Sequence, residues 1–565
     1  MTSFLSFADL CHRVEEVSST LEKIDLVAAF LSGLDEVDLA ISSNFVMGTV
    51  FPPGSDLVMG VGPSILYEAL ARACGCPNTQ IQEMLRATGD AGLVASKIVE
   101  KRRPQNFAAF TDREELSISG VYRRFLAAAK AAGKRSQDVK VKNLQFLFSQ
   151  ASALEALYIA RLAIEDMRIG VGEGGVRNAL AKAFSRTAEA VERGYNLTND
   201  MGLVAVSAKN GTLSELSVML NHPIKMMLAQ LGEGIPEALK EMNAAAIEWK
   251  YDGARVQIHK DGEKVRIFSR RLENVTASLP DIVRAAAQKI HAKSAILDGE
   301  AVAIGEDRRP MAFQQILKRF RRKYNVEKLA AEIPLRLFLF DLIYLDGKSV
   351  IDLPLSERRA LLVEIADPSL VAKQALSDEE EVAERIYKEA LDAGHEGIML
   401  KNPSSAYTPG KRGKNWLKIK PVMETLDLAV IGARWGEGRR ASFLGSYRLG
   451  CVDPETGRLL DVGWVATGLT DEALADLTGV FKDLIVVEKG MEMELKPEVI
   501  FEVAYEEIQK SPNYSSGFAL RFPRLVRVRD DKSLEEADTL ERVVSLYNMQ
   551  RGRGTSARQK SVDSK

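Results

Sequence analysis

Residues Ala246–Arg271, AIEWKYDGARVQIHKDGEKVRIFSRR, decide how the centre of this chain is read. Side chains two apart share one face of a strand. Glu248 and Lys250 therefore share a face, with Ile247 and Trp249 on the other. Asp252-Gly253 then gives a sharp turn before Arg255, and Asp261-Gly262 is a hairpin signal joining two further strands. A charged pair on one strand face suits either an exposed face or a functional site. Repetition favours a site. LDGEAVA places Asp298 and Glu300 together, WLKIK places Lys418 and Lys420 opposite Leu417 and Ile419, and HEGIMLK sets Glu396 beside a glycine.

Outward from that stretch, the strands SAILDGEAVAI, LRLFLFDLIYLDG, GIMLK and WLKIK alternate with helices such as LSERRALLVEIA and EEVAERIYKEALDA. Residues 226–421 are thus predicted as a mixed α/β domain. Before it, Phe7, Leu10, Cys11, Val14 and Leu21 follow the three-and-four spacing of helices, and residues 1–225 are predicted as all-α. Lys101–Gln150 holds 11 Lys and Arg against 4 Asp and Glu, which gives a local basic stripe or a solvated helix face. MRIGVGEGG places Gly170, Gly172 and Gly174 after Arg168 and before a helix. Such bare backbone suits a phosphate chain at a helix N-terminus, or a tight turn between helices. After Pro421, short strands and one helix near DEALADLTGVFKDL suggest a small barrel of oligonucleotide-binding (OB) type over residues 422–553. The polar tail 554–565 is expected to be disordered.

The whole chain agrees with several units. At 565 residues it is long enough for three to four domains. A net charge of −2 means that any nucleic-acid surface must be a patch. Cys11, Cys74, Cys76 and Cys451 have no zinc-site spacing and fit a reducing compartment, with Cys74 and Cys76 read as a turn before Pro77. No apolar run reaches a membrane span, and the N-terminus lacks a basic secretory start, so a cytoplasmic protein is expected.

KYDGAR (Lys250–Arg255), SRR (Ser269–Arg271), LDGE (Leu297–Glu300), FLFDLIYLDG (Phe338–Gly347), EGIMLK (Glu396–Lys401), WLKIK (Trp416–Lys420) and RFPRLVRVRDDK (Arg521–Lys532) stand in the order of the covalent nucleotidyltransferase motifs. The chain resembles ATP-dependent DNA ligases of the archaeal replicative type, and the likeness covers nearly its whole length. The resemblance implies that Lys250 is the nucleophile on the α-phosphate of ATP. A lysine with the ordinary pKa of about 10.4 is neutral only about once in 2,500 molecules at pH 7, so the site must favour the free amine. Arg255, Arg270, Lys418 and Lys420 would lower its pKa and bind phosphate, and Arg412 would contact the nucleotide. Glu248 would accept from the adenine amine and Phe340 would stack on the ring. Glu300 and Glu396 would serve Mg²⁺, with Mn²⁺ a substitute, and Glu300 counts among the ATP-contacting residues as well. Arg529, Asp531 and Lys532 match the element that orients the pyrophosphate, which implies a hinge near Pro421 for barrel closure.

Nicked duplex DNA is the implied substrate, in replication, repair and recombination, and a monomer working at the nucleoid is expected. An RNA ligase or capping guanylyltransferase shares the lysine motif but typically lacks a long helical domain; a silent nick-binding scaffold would not need the intact lysines and glutamates. PQNFAAF (Pro104–Phe110) loosely resembles a sliding-clamp peptide, with Phe107 and Phe110 as pocket anchors or as core residues of the helical domain. The basic run Arg308–Lys323 is read as phosphate contact and His259 as a surface residue.

Overall fold

The computed structural model describes residues 2–101, 115–133, 135–305, 309–311, 313–320, 325–421, 425–436, 440 and 443–550. The peptide at 104–110, the ends of the 308–323 run and the tail lie outside these residues. Two compact units are distinguished: Met1–Tyr387 with Ile398–Ile419, and Lys388–Gly397 with Lys420–Lys565.

The first unit opens with helices from Phe4–Glu16 to Met201–Asn210. Their starts carry side-chain oxygens that accept otherwise orphaned N–H groups: Ser3, Ser19, Asp35, Ser117, Thr187 and Asp200, and Ser152 with Glu155 as a reciprocal box. Their apolar stripes meet in one core containing Phe4, Phe7, Phe45, Phe125, Phe148 and Tyr158. Arg161, 2% exposed, ties this core together by ion pairs to Asp90 at 2.6 Å and Glu15 at 2.8 Å.

Two five-stranded sheets follow in the same unit. The first runs in the order Leu228–Leu231, Arg412–Ile419, Gly397–Lys401, Ala245–Lys250, Gln374–Ser377. The second runs Lys264–Ser269, Ala254–Asp261, Ser294–Ala303, Leu335–Leu345, Lys348–Ser349. Period-2 alternation gives the second sheet an apolar face. Val256, Ile258, Leu297 and Leu339 pack there against Ile282 and Ala286 of helix Pro280–Lys289 and Leu362 of helix Leu355–Ile365. Its other face is polar and carries Arg255, Gln257, His259 and Asp298, yet it is buried.

What buries part of that face is the chain itself. Gln257 accepts from the Ile224 N–H at 2.9 Å and donates back to the Ile224 carbonyl at 3.2 Å. His259 Nδ1 accepts from the Asn221 N–H at 3.0 Å, and its Nε2 lies 3.0 Å from Gln257 Oε1. The surface reading of His259 is therefore corrected: it is 1% exposed, and burial pushes its pKa down to about 3, helped by His222 and Arg266. Residues 221–227 form a strap from the helical region to the sheets. Leu197, Val218, Ile224 and Met227 share one apolar cluster with Ile296, Ile343, Tyr407 and Trp416. Arg319, part of the basic run read as phosphate contact, is fully buried on Asp281 at 2.7 Å and the Ile333 carbonyl at 2.6 Å.

The second unit holds a seven-stranded sheet around Leu426–Trp435. That strand pairs with Leu444–Val452 on one side; on the other, its first half pairs with Ile500–Ala504 and its second half with Glu492–Leu495. Register shifts after Val430 let one strand serve these partners, as a coiled barrel sheet requires. The strand-rich unit is of OB-fold type, with helix Asp471–Lys482 against the core through Leu474, Leu477 and Phe481.

Candidate active site

Lys250 is the last residue of Ala245–Lys250, and Tyr251-Asp252-Gly253 carries the chain across to Ala254–Asp261 in the other sheet. The lysine thus stands, half-buried, where the chain leaves one sheet for the next. Glycine at 253 is a packing requirement. A Cβ there would lie 2.7 Å from the Ala301 carbonyl oxygen and 2.7 Å from Glu300 Cγ. Gly253 therefore brings the lysine turn directly against Glu300. Tyr251 fixes the same turn by stacking on Phe338, with centroids 4.3 Å apart.

Glu248 and Lys401 form an ion pair at 2.6 Å, both almost fully buried. Glu248 also accepts from Gln374 Nε2 at 2.7 Å, its cross-strand partner. Lys401 Nζ lies 4.5 Å from the Phe340 centroid and 4.4 Å from that of Trp416. A carboxylate, an amide, a cation and two rings are thus gathered. Lys401 and Gln374 were not singled out from the sequence. Lys401 was visible only as the end of EGIMLK, and Gln374 stands 126 residues from its partner.

Arg255 lies on the adjoining polar face, with its guanidinium 5.4 Å from the Phe340 centroid. It pairs with Asp298 at 2.7 Å and donates to the Met227 carbonyl at 2.6 Å. Tyr407 donates to the same Asp298 oxygen at 2.5 Å. Burial opposes the charge on Arg255, but Asp298 and its neighbours hold its pKa above the ordinary value. Arg255 Nε and Trp416 Nε1 remain buried without a hydrogen-bond partner in the protein, as donors open to a polar ligand would be. Glu300 is the cross-strand partner of Arg255 and Phe338, and Lys418 that of Met399. Arg270 and Arg412 are exposed side chains outside these contacts.

In the second unit, Lys420 pairs with Glu396 at 2.9 Å and Glu506 at 3.4 Å. Arg529 pairs with Asp531 at 2.8 Å and with Asp427 at 3.0 Å, and Lys532 pairs with Asp427 at 2.7 Å. Among the described residues no group of three or more His, Cys, Asp or Glu is poised to hold a metal. Such a group is not needed for Mg²⁺ bound through one or two carboxylates, water and substrate phosphates, and Glu300 and Glu396 are hard oxygen donors of that kind.

In the helical region, Gly172 caps helix Glu173–Ala183, and Gly170 takes a left-handed φ of +72°. A Cβ at Gly172 would meet nothing within 4 Å, and one at Gly174 only the tip of Arg177 at 3.9 Å. The protein's own packing therefore does not demand these two glycines. Arg168 is tethered to Asp166 at 2.7 Å and to the Gly89 carbonyl at 3.1 Å.

Three regions of the chain match known protein families. Residues 3–181 match the DNA ligase N terminus, 226–420 the ATP-dependent DNA ligase domain and 440–532 the ATP-dependent DNA ligase C-terminal region. The chain is 63% identical to a DNA ligase of Methanothrix thermoacetophila, covering 98% of this chain and 100% of that one. It is 53% identical to DNA ligase 2 of Methanosarcina acetivorans, over 97% and 99% respectively. The solved structure Pmar-Lig_PreS3 shares the fold at a TM-score of 0.54 and 19% identity, covering 93% of this chain and 99% of that one. With family matches in all three regions and full-length relatives at this identity, the chain belongs to the ATP-dependent DNA ligases.

Proposed function

We propose that this ligase works through a lysyl-adenylate on Lys250. The observation that carries the reading is the placement of Lys250 at the crossing between the sheets. It is one strand position pair from Glu248, and its turn is pressed on Glu300 by Gly253. Lys250 Nζ attacks the α-phosphorus of ATP; the P–N bond forms, the P–O bond to pyrophosphate breaks and pyrophosphate leaves with the electron pair. A 5′-phosphate oxygen at the nick then attacks the same phosphorus, and Lys250 departs and takes up a proton. Finally the 3′-hydroxyl attacks the 5′-phosphate, AMP leaves, and the backbone is joined.

Glu248, oriented by Gln374 and Lys401, accepts from the adenine amine, and Phe340 offers its ring to the base. Arg255, Arg270, Arg412, Lys418 and Lys420 serve the sugar and phosphates. Arg529, Asp531 and Lys532 orient pyrophosphate. Glu300 and Glu396 would hold Mg²⁺, or Mn²⁺ in its place; the bound ion supplies charge neutralisation at the phosphates. Residues 1–225 grip the duplex, with Arg168 and the backbone at Gly170, Gly172 and Gly174 against phosphates. Residues 226–421 carry adenylation and 422–553 the barrel, in a chain that acts as a monomer. The peptide Pro104–Phe110 is open to two roles, docking a sliding clamp or filling the helical domain's own core with Phe107 and Phe110. Among the described residues no helix is long and apolar enough to cross a membrane.

The test is incubation with α-labelled ATP, GTP and NAD, followed by denaturing electrophoresis. Label from ATP should stay on the wild-type chain and vanish in Lys250→Ala, while binding of nicked duplex persists. A Lys250→Ala chain that still traps AMP overturns the assignment.

A further inference from the structure

Asp427 lies at the start of strand Leu426–Trp435 in the second unit, outside every motif singled out in the sequence. Its backbone is fixed, because its N–H donates to the Asp538 carboxylate at 2.8 Å and its carbonyl accepts from the Asp538 N–H at 2.8 Å. Its carboxylate is left for two cations. Arg529 Nη1 donates to its two oxygens at 3.2 and 3.0 Å, and Lys532 Nζ donates to one of them at 2.7 Å. The remaining edge of Arg529 is held by Asp531, at 2.9 Å from Nε and 2.8 Å from Nη2. Asp427 therefore joins the two basic residues of RVRDDK through a single anion.

We propose that Asp427 is a positioning residue that stands in for pyrophosphate, holding Arg529 and Lys532 together until a polyphosphate displaces it. This rests on the reading of those two residues as pyrophosphate-orienting. One carboxylate charge shared by two cations is a weaker anion than the β,γ-phosphates of ATP, whose several oxygens can take both donors at once. The exchange still requires the existing pairs to separate. Neutralising Asp427 without changing its shape removes that competitor.

The experiment is self-adenylation of full-length Asp427→Asn with α-labelled ATP. The KM for ATP should fall about twofold to fivefold, the range in which partly exposed ion pairs act. Inhibition by added inorganic pyrophosphate should strengthen by a similar factor, and joining of a nick that already carries AMP should not change. In a Lys532→Ala background the gain should shrink, because only Arg529 is left for Asp427→Asn to free. A purely structural loss would appear equally in both backgrounds, so this cycle decides the matter even if Asp427→Asn melts lower. An unchanged or raised KM, or an equal effect in the Lys532→Ala background, overturns the proposal. Wild-type self-adenylation in Arg529→Ala and Lys532→Ala would instead overturn the reading on which it rests.

Discussion

Lys401 and Glu248 show how a buried charge is tolerated at the level of a single residue. Each is at most 3% exposed, and each supplies the other's counter-charge at 2.6 Å. Removing one partner strands the other in a medium where water cannot compensate, at a cost of about 3–5 kcal/mol. Lys401→Met should therefore lower stability by that order in denaturant unfolding, and Glu248→Gln with Lys401→Met should recover much of it. His259 gives a second expectation. Its pKa lies near 3 in the folded chain against about 6.5 unfolded, so the unfolded state binds the proton more readily. This contribution is complete above pH 6.5 and is lost as pH falls toward 3, about 2 kcal/mol of it by pH 5. His259→Gln should flatten the pH dependence of stability over that window by up to one proton. Equal slopes in the two proteins would show that another group carries the effect.

The turn Tyr251-Asp252-Gly253 is the element on which the proposed chemistry depends. Gly253→Ala forces a Cβ against a backbone carbonyl, so the turn or the strand bearing Glu300 must shift, at about 1–3 kcal/mol. Self-adenylation should drop more than tenfold while far-UV circular dichroism stays near wild type; unimpaired labelling would show that the contact is slack. Alternation along AIEWKYDGARVQIH displayed which residues share a face, and Asp252-Gly253 marked the turn after Lys250, but not that this turn crosses from one sheet to another. It could not show whether a polar face meets solvent or protein. His259 was therefore read as surface, although Asn221, 38 residues away, covers it. The pairing of Glu248 with its cross-strand partner Gln374, and the diagonal ion pair of Arg255 with Asp298, were hidden for the same reason: which residues meet across strands is set by register, not by neighbourhood in the chain.

At the scale of the whole molecule, the helical region and the two sheets belong to one compact unit and share the cluster of Leu197, Val218, Ile224, Ile296 and Trp416. Deleting residues 1–225 should therefore lower the melting temperature of the remainder by more than deleting 1–212, which keeps Val218, Ile224 and the strap. Both truncations should bind nicked duplex more weakly than the full chain and with a shallower dependence of log affinity on log salt, because fewer phosphate contacts release fewer counterions. Equal salt slopes for full-length and truncated proteins would remove the DNA-gripping role from the helices.

The strap at residues 221–227 also sets the terms on which the helical region could be exchanged for another. Gln257 and Arg255 grip main-chain atoms of Ile224 and Met227 while the side chains of those two residues fill the apolar cluster, so the strap is held by its backbone path and by its apolar positions together. A chimera that keeps this connector can carry a foreign grafted module and still have its polar groove filled. One joined by a flexible glycine-serine tether would leave Gln257 and His259 facing an open trough. The connector is therefore the dowel of the joint, and the cassette to transplant ends after Met227, not before it.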